Sequence, residues 1–233
     1  MSFSDLKKRV YDANMMLETL DLVLFTWGNV SELDESGQYM AIKPSGVPYD
    51  RLKVDDIVVI DRTTGDIVSG DLKPSSDTPT HLVLYDAFPE LKGICHTHSV
   101  WGVAWAQAQR DLPAYGTTHA DTFYGAVPCT RPLTVDEIKG EYEKETGRVI
   151  AECFRERNLD PLAVQGALVA NHGPFAWGNS GEDAVKNARI LEECCKMASY
   201  TELINSEAKP LDQALLDKHY SRKHGKDAYY GQS

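Results

Sequence analysis

Leu91-Lys92-Gly93-Ile94-Cys95-His96-Thr97-His98 is a short apolar run that ends in two histidines one residue apart. Its first five residues read as a strand, and side chains at i and i+2 of a strand share a face. Two imidazoles can therefore aim at one point without unusual backbone. Asp77 upstream and His172 downstream, in Ala170-Asn171-His172-Gly173, can complete a set of three nitrogens and one oxygen. Such a set suits Zn²⁺ or another borderline divalent ion. A lone histidine near a strand end is more often a hydrogen-bonded structural residue. The pair and the residues around it favour a metal enzyme. Cys95 precedes His96, so it should face away from the metal as a buried, space-filling thiol.

Working outward from this strand, residues 99–109 read as a short helix rich in Ala and Trp, and about 134–157 as a longer one. Ala167-Leu168-Val169-Ala170 is the strand that delivers His172, and helices follow over 181–205 and 211–224. Toward the amino end, residues 4–19 carry Leu6, Val10, Ala13, Met16 and Leu17 at helical spacing. Thr26-Trp27-Gly28-Asn29-Val30-Ser31 reads as a loop, and Tyr39-Met40-Ala41-Ile42-Lys43 as a strand running into the turn Pro44-Ser45-Gly46. Ile57-Val58-Val59-Ile60 and Ile67-Val68 flank Thr64-Gly65-Asp66, a hairpin signature. Ser75-Ser76-Asp77-Thr78-Pro79 marks a helix start, since proline's missing N–H would be unpaired in the first turn anyway. That helix should run through Tyr85 and Phe88 to Pro89. Strands and helices mix without strict βαβ alternation. The expected fold is a single-domain α/β/α sandwich over residues 1–233, with a central, largely antiparallel mixed sheet flanked by helices.

Composition limits the function. The chain has 233 residues, 42% hydrophobic and 25% charged, with no linker or repeat to divide it. A net charge of −11 argues against nucleic acid as a partner, because phosphate backbones are bound by clustered Lys and Arg. It leaves room for a phosphorylated small molecule, which needs only a local pocket of donors. No apolar run is long enough to span a bilayer, and Met1-Ser2-Phe3-Ser4-Asp5-Leu6-Lys7-Lys8 lacks the apolar segment of a signal peptide. Five cysteines, an odd count with Cys194 and Cys195 adjacent in a helical pattern, fit a reducing cytosol better than a disulfide framework. The expectation is a cytoplasmic protein.

Three turns could receive an anion: Gly28-Asn29, Ser45-Gly46 with Lys43 beside it, and Ser75-Ser76. Glycine lets backbone N–H groups approach an oxyanion, and a helix N-terminus favours phosphate. Each pair taken alone is equally a turn former or helix cap. Gly116-Thr117-Thr118-His119-Ala120-Asp121 reads as a polar loop in which Asp121 is either a general acid/base or a surface carboxylate. The end of the chain carries Lys218-His219 and Tyr229-Tyr230-Gly231-Gln232. A tyrosine pair so close to the end is odd unless the tail docks, for instance on a neighbouring subunit.

These stretches, together with Ile42-Lys43-Pro44-Ser45-Gly46-Val47, His96-Thr97-His98-Ser99 and His172-Gly173-Pro174-Phe175-Ala176-Trp177-Gly178, resemble the L-ribulose-5-phosphate 4-epimerases of the class II aldolase/adducin-head superfamily. The resemblance covers nearly the whole chain in order. It implies Zn²⁺, for which Mn²⁺ or Co²⁺ can substitute, held by Asp77, His96, His98 and His172. It implies that Gly28, Asn29, Lys43, Ser45, Gly46, Ser75 and Ser76 meet substrate phosphate and hydroxyls. Asp121 and Tyr230 would be the acid/base groups, Tyr230 reaching a neighbouring subunit's site in a C4-type homotetramer. Thr117, Glu143 and His219 would support the active site.

The reaction the resemblance implies is the interconversion of L-ribulose 5-phosphate and D-xylulose 5-phosphate. Deprotonation at C4 has no carbonyl to stabilise the carbanion, so the family breaks the C3–C4 bond by retro-aldol cleavage, rotates glycolaldehyde phosphate and re-forms the bond. The metal acts as a Lewis acid, and one proton-transfer group is needed on each face. Two alternatives stand beside this reading: a sister aldolase acting on L-fuculose or L-rhamnulose 1-phosphate, and a non-catalytic adducin-head-like association domain. Keeping both Asp121 and Tyr230 favours the epimerase over the first, and keeping all four metal candidates argues against the second. Whether the substrate arises from arabinose or from ascorbate/gulonate breakdown stays open. One tension accompanies the ligand set, since four protein ligands resemble a closed structural zinc site whereas catalytic sites keep a position open.

Overall fold

The computed structural model describes residues 3–225 and Ala228. In chain order the elements are α1 (Ser4–Thr19), β1 (Asn29–Leu33), β2 (Tyr39–Ile42), β3 (Val58–Asp61), β4 (Ile67–Ser69), α2 (Thr78–Ala87), β5 (Gly93–His96), α3 (Val100–Gln107), α4 (Thr117–Ala120), α5 (Val135–Lys139), α6 (Tyr142–Glu156), β6 (Gly166–Val169), β7 (Gly173–Gly178), α7 (Gly181–Ile204) and α8 (Gln213–His224). The strands form a seven-stranded sheet in the order β4-β3-β2-β1-β5-β7-β6. Every named pair is antiparallel, and the one parallel contact among the described residues is the isolated bridge between Cys129 and Leu168.

Strand alternation sends side chains to two faces, and helices cover both. On one face Met40, Ile42, Val58, Ile60, Ile94, Phe175 and Trp177 pack with Leu84 and Tyr85 of α2 and Ile150 and Phe154 of α6. On the other, Val30, Cys95 and Ala176 meet Ala13 and Leu17 of α1 and Ala184, Val185 and Ala188 of α7, while Ala41 and Val59 meet Leu6 and Val10. This is the α/β/α sandwich expected from the sequence, with its largely antiparallel sheet. Cys95 faces α1 and α7, opposite to His96, and is fully buried.

Three local expectations need correction, and one strand is added. Asn29, Val30 and Ser31 belong to β1 rather than to a loop, because that stretch is paired on both sides, with β2 and β5. Asn and Ser have weak strand propensity, so only the long-range ladder makes them a strand. β7 is a strand to which the sequence reading assigned no element: Gly and Pro are poor strand formers, yet the segment pairs with both β5 and β6. The helix expected over 134–157 is two helices, broken where Gly140 caps α5, glycine being a poor helix interior and a good terminus. The polar stretch before Asp121 closes into the helical turn α4.

Candidate functional site

His96 ends β5, and its cross-strand partners are Asn29 of β1 and Phe175 of β7. The imidazole stacks on the Phe175 ring at 4.1 Å between centroids. Its Nδ1 lies 3.0 Å from the Pro174 carbonyl, which can only accept, so Nδ1 carries the proton and Nε2 keeps a lone pair. That Nε2 lies 3.1 Å from Nε2 of His98. His172 joins them from the β6–β7 turn, where Asn171 takes a left-handed backbone at φ 63°, a conformation asparagine tolerates. One ring nitrogen from each of the three histidines lies within 4.8 Å of the others.

The electrostatics suit a cation. Burial, then His96 and His98, push the His172 imidazole down to about 3, and burial and His96 lower His98. The His172 ring is thus neutral at physiological pH, and the shift of His98 runs the same way, toward the form that ligates metal. Nδ1 of His172 is buried with no partner among the described residues. Three converging imidazoles, one with an orphaned nitrogen, fit a divalent ion.

Asp77 is not within the histidine trio but lines the same cavity. Its Oδ2 accepts from Nδ2 of Asn29 at 2.6 Å. Burial opposes the Asp77 charge, but His96, His81, the Asn29 hydrogen bond and His172 together hold its carboxyl below the usual range. The arrangement is therefore three nitrogens with a carboxylate alongside.

The cavity has a volume of about 380 Å³ and is lined by His98, His172, Asp77, Gly28, Asn29, Lys43, Ser45, Gly46, Ser75, Ser76 and Glu143. Two loops close it by pairing with each other. Ser45 N donates to Lys73 O at 2.9 Å and Ser75 N to Lys43 O at 3.0 Å, flanking a bridge between Pro44 and Pro74. The three turns singled out in the sequence thus meet at one place. Gly28 adopts φ +73°, and a Cβ there would lie 2.9 Å from the His96 carbonyl, so glycine alone lets this turn reach the strand end. Lys43 is 1% exposed, donates to Val47 O at 2.8 Å and lies 4.8 Å from the Tyr49 ring centroid. Burial lowers its ammonium to about 8.

Other expected site residues lie elsewhere. Thr117, Asp121 and His219 do not line this cavity. They gather where α4 meets α8: Asp121 N donates to Thr117 O at 2.9 Å, and the Asp121 carboxylate accepts from His219 Nδ1 at 2.9 Å and Arg222 Nη2 at 2.7 Å. Burial resists, but Arg222, His219 and Lys223 hold the Asp121 carboxyl below its usual range. Tyr230 lies outside the described residues.

Sequence reasoning missed two neighbours of the site. Tyr142 lines the cavity beside Glu143. His81, one helical turn after Asp77, is fully buried, and its Nδ1 lies 2.7 Å from Ser31 Oγ, which in turn lies 2.9 Å from Tyr85 OH. The Asp77/His81 spacing of four on α2 was the available signal, because residues at i and i+4 share a helix face.

A sandwiched antiparallel sheet with three histidines converging at a strand exit beside a polar cavity is the class II aldolase type of fold. The chain belongs to the Class II Aldolase and Adducin N-terminal domain family, whose sequence model matches residues 8–199. It is 53% identical over 227 residues to an L-ribulose-5-phosphate 4-epimerase, UlaF, of Salmonella paratyphi C, covering 97% of this chain and 98% of that one. The Salmonella typhi protein of the same name is 52% identical over the same shares. Among solved structures, an L-fuculose 1-phosphate aldolase superposes with a TM-score of 0.79 at 26% identity, covering 95% of this chain and 97% of that one. No helix among the described residues is long and apolar enough to cross a membrane.

Proposed function

We propose that this protein is a metal-dependent epimerase that interconverts L-ribulose 5-phosphate and D-xylulose 5-phosphate. The observation that carries the reading is the histidine trio opening into a cavity walled by the paired 43–46 and 73–76 loops. The high identity to named 4-epimerases along nearly the full length favours this substrate over a 1-phosphate.

His96, His98 and His172 are the proposed metal ligands, with Asp77 as a fourth, exchangeable one, and Zn²⁺ suits their donor set. When bound, the ion supplies Lewis-acid stabilisation of the negative charge that develops on cleavage. Gly28, Asn29, Ser45, Gly46, Ser75 and Ser76 offer hydroxyl, amide and backbone donors to phosphate, and Lys43 supplies positive charge there. Their second task is retention. After the C3–C4 bond breaks, glycolaldehyde phosphate must turn without leaving before the bond re-forms on its other face. Glu143, at the cavity wall, is proposed to support the active site.

Cleavage removes the proton of the C4 hydroxyl and re-addition returns one, so a proton-transfer group is required on each side. Asp121 and Tyr230 are the proposed pair, supported by Thr117 and His219. The Asp121 corner does not line the cavity of its own chain, which supports a homotetramer in which α4, α8 and the tail meet the cavity of an adjacent copy.

The test is a coupled assay that follows D-xylulose 5-phosphate formed from L-ribulose 5-phosphate, before and after chelation and Zn²⁺ restoration. Metal-dependent product is expected. Accumulation of free glycolaldehyde phosphate, or turnover only of a 1-phosphate, would make the protein an aldolase instead.

A further inference from the structure

The segment His96-Thr97-His98-Ser99 contains two hydroxyl residues that neither the metal nor the substrate uses. Both are buried, whereas His98 between them is exposed. Ser99 occupies the N-cap position of α3, yet its side chain makes no capping bond to that helix. Its Oγ donates instead to Oε2 of Glu192 at 2.7 Å and accepts from Oγ1 of Thr97 at 3.1 Å.

Glu192 comes from the middle of α7, 93 residues away in sequence, and is 8% exposed. Its Oε1 accepts from Trp101 N at 2.9 Å, and its Oε2 also accepts from Gly102 N at 2.8 Å. A carboxylate from α7 thus does for α3 what a local cap normally does. No basic side chain pairs with it among the described residues; N–H and O–H donors at the positive end of α3 satisfy it. Gly102 also sits tightly on Pro174, where a Cβ would lie 2.7 Å from the Pro174 ring. Pro174 is the residue whose carbonyl orients His96.

We propose that Glu192 is a positioning residue for the metal site: it pins the backbone that carries His98, so that the exposed third imidazole is pre-set against His96 and His172. The strand side of the segment is already fixed by Thr97 N donating to Pro174 O at 3.3 Å. The helix side has Glu192. Without it the Thr97–Ser99 hydroxyl pair loses its anchor, the first turn of α3 loses two N–H acceptors, and His98 must be ordered by the metal itself. Supporting partners of this kind are worth ~10–100-fold in metal affinity.

This inference rests on the reading of the three histidines as a metal site, and the experiment separates the two. Zn²⁺ dissociation constants are measured by chelator competition on the wild type, E192Q, H98N and the double variant, with circular dichroism and apo melting temperatures alongside. Gln keeps the size of Glu192 but turns an NH₂ toward donors, so it cannot satisfy all three. The expected result is Zn²⁺ affinity in E192Q weakened ~10–100-fold in a folded protein, with little further loss when E192Q is added to H98N, because both act through one imidazole. Unchanged affinity in folded E192Q, or losses that simply add, overturns the positioning role. Absence of Zn²⁺ binding in the wild type overturns the site reading itself. If E192Q does not fold, S99A removes only the hydroxyl link, and several-fold weaker binding is expected; unchanged binding again overturns the proposal.

Discussion

Nδ1 of His96 donates to the carbonyl of Pro174 across the β5–β7 ladder at 3.0 Å. The bond fixes both the tautomer and the ring plane, and it aims Nε2 at His98. Proline in a central strand is unusual because it gives up a ladder donor. Here its remaining carbonyl is spent on orienting an imidazole. The histidine trio is therefore built into the sheet at His96 and completed from the loops by His98 and His172.

If that geometry binds metal, His98→Asn should lower both Zn²⁺ content and turnover while leaving the sheet intact, since His98 is exposed and follows the end of β5. Metal analysis of the purified variant checks this. Full occupancy at an unchanged rate would remove His98 from the ligand set.

Gly28→Ala should destabilise the protein and weaken substrate binding together. The φ of +73° costs an L-residue about 1–2 kcal/mol, and the added methyl would also press on Val23 and the His96 carbonyl. Denaturant unfolding reads the first effect and KM the second.

Lys43→Met should raise KM far more than it lowers kcat, because the side chain is the proposed source of positive charge for the substrate phosphate. In the wild type, burial brings the ammonium to about 8. Substrate affinity should therefore fall as pH rises through that value, and the variant should lack this limb. A KM profile from pH 7 to 9.5 tests it.

Acid should destabilise the metal-free protein well before carboxylates protonate. His81 and His172 are each held near 3 by burial, whereas an unfolded histidine titrates near 6.5. Between those values the unfolded chain takes up protons that the native state refuses, so stability is full above about 6.5 and is lost as pH falls toward 3. Each such proton is worth about 1.4 kcal/mol per pH unit. Melting temperatures of the apo protein at pH 7, 6, 5 and 4 should fall steadily, and a flat profile to pH 5 would contradict the buried neutral imidazoles. Bound metal should be released over the same range, because its ligands must be neutral.

Asp121→Asn and Tyr230→Phe should leave metal content at the wild-type level while lowering turnover by ~10²–10⁴. Asp121 does not line the histidine cavity of its own chain, so mixing each inactive variant with the His98→Asn protein is informative. Hybrid oligomers in which a His98→Asn subunit supplies the intact pair to the intact cavity of its neighbour should recover activity. No recovery after subunit exchange would place the proton-transfer groups within a single chain.

The amino-acid sequence by itself determined the chemistry-bearing parts that local rules govern. The H-x-H spacing at the end of β5 brought two imidazoles to one place, His96 from the strand and His98 from just beyond it. Glycine, serine and proline marked the turns at 28, 45–46 and 75–79, and helical spacing marked α1, α7 and α8, since each of these follows from residues a few positions apart. Only the tertiary structure decided the rest. Asn29–Leu33 is a central strand because β2 and β5 flank it, and β7 is a strand despite Gly173 and Pro174 because β5 and β6 supply its ladder. The same holds for partners set far apart in the chain: Asp121 among the α8 cations, Ser31 against His81, and Glu192 beneath Ser99. Residues from 50 to more than 100 positions apart are joined by packing of the whole sandwich, and no local periodicity encodes that meeting.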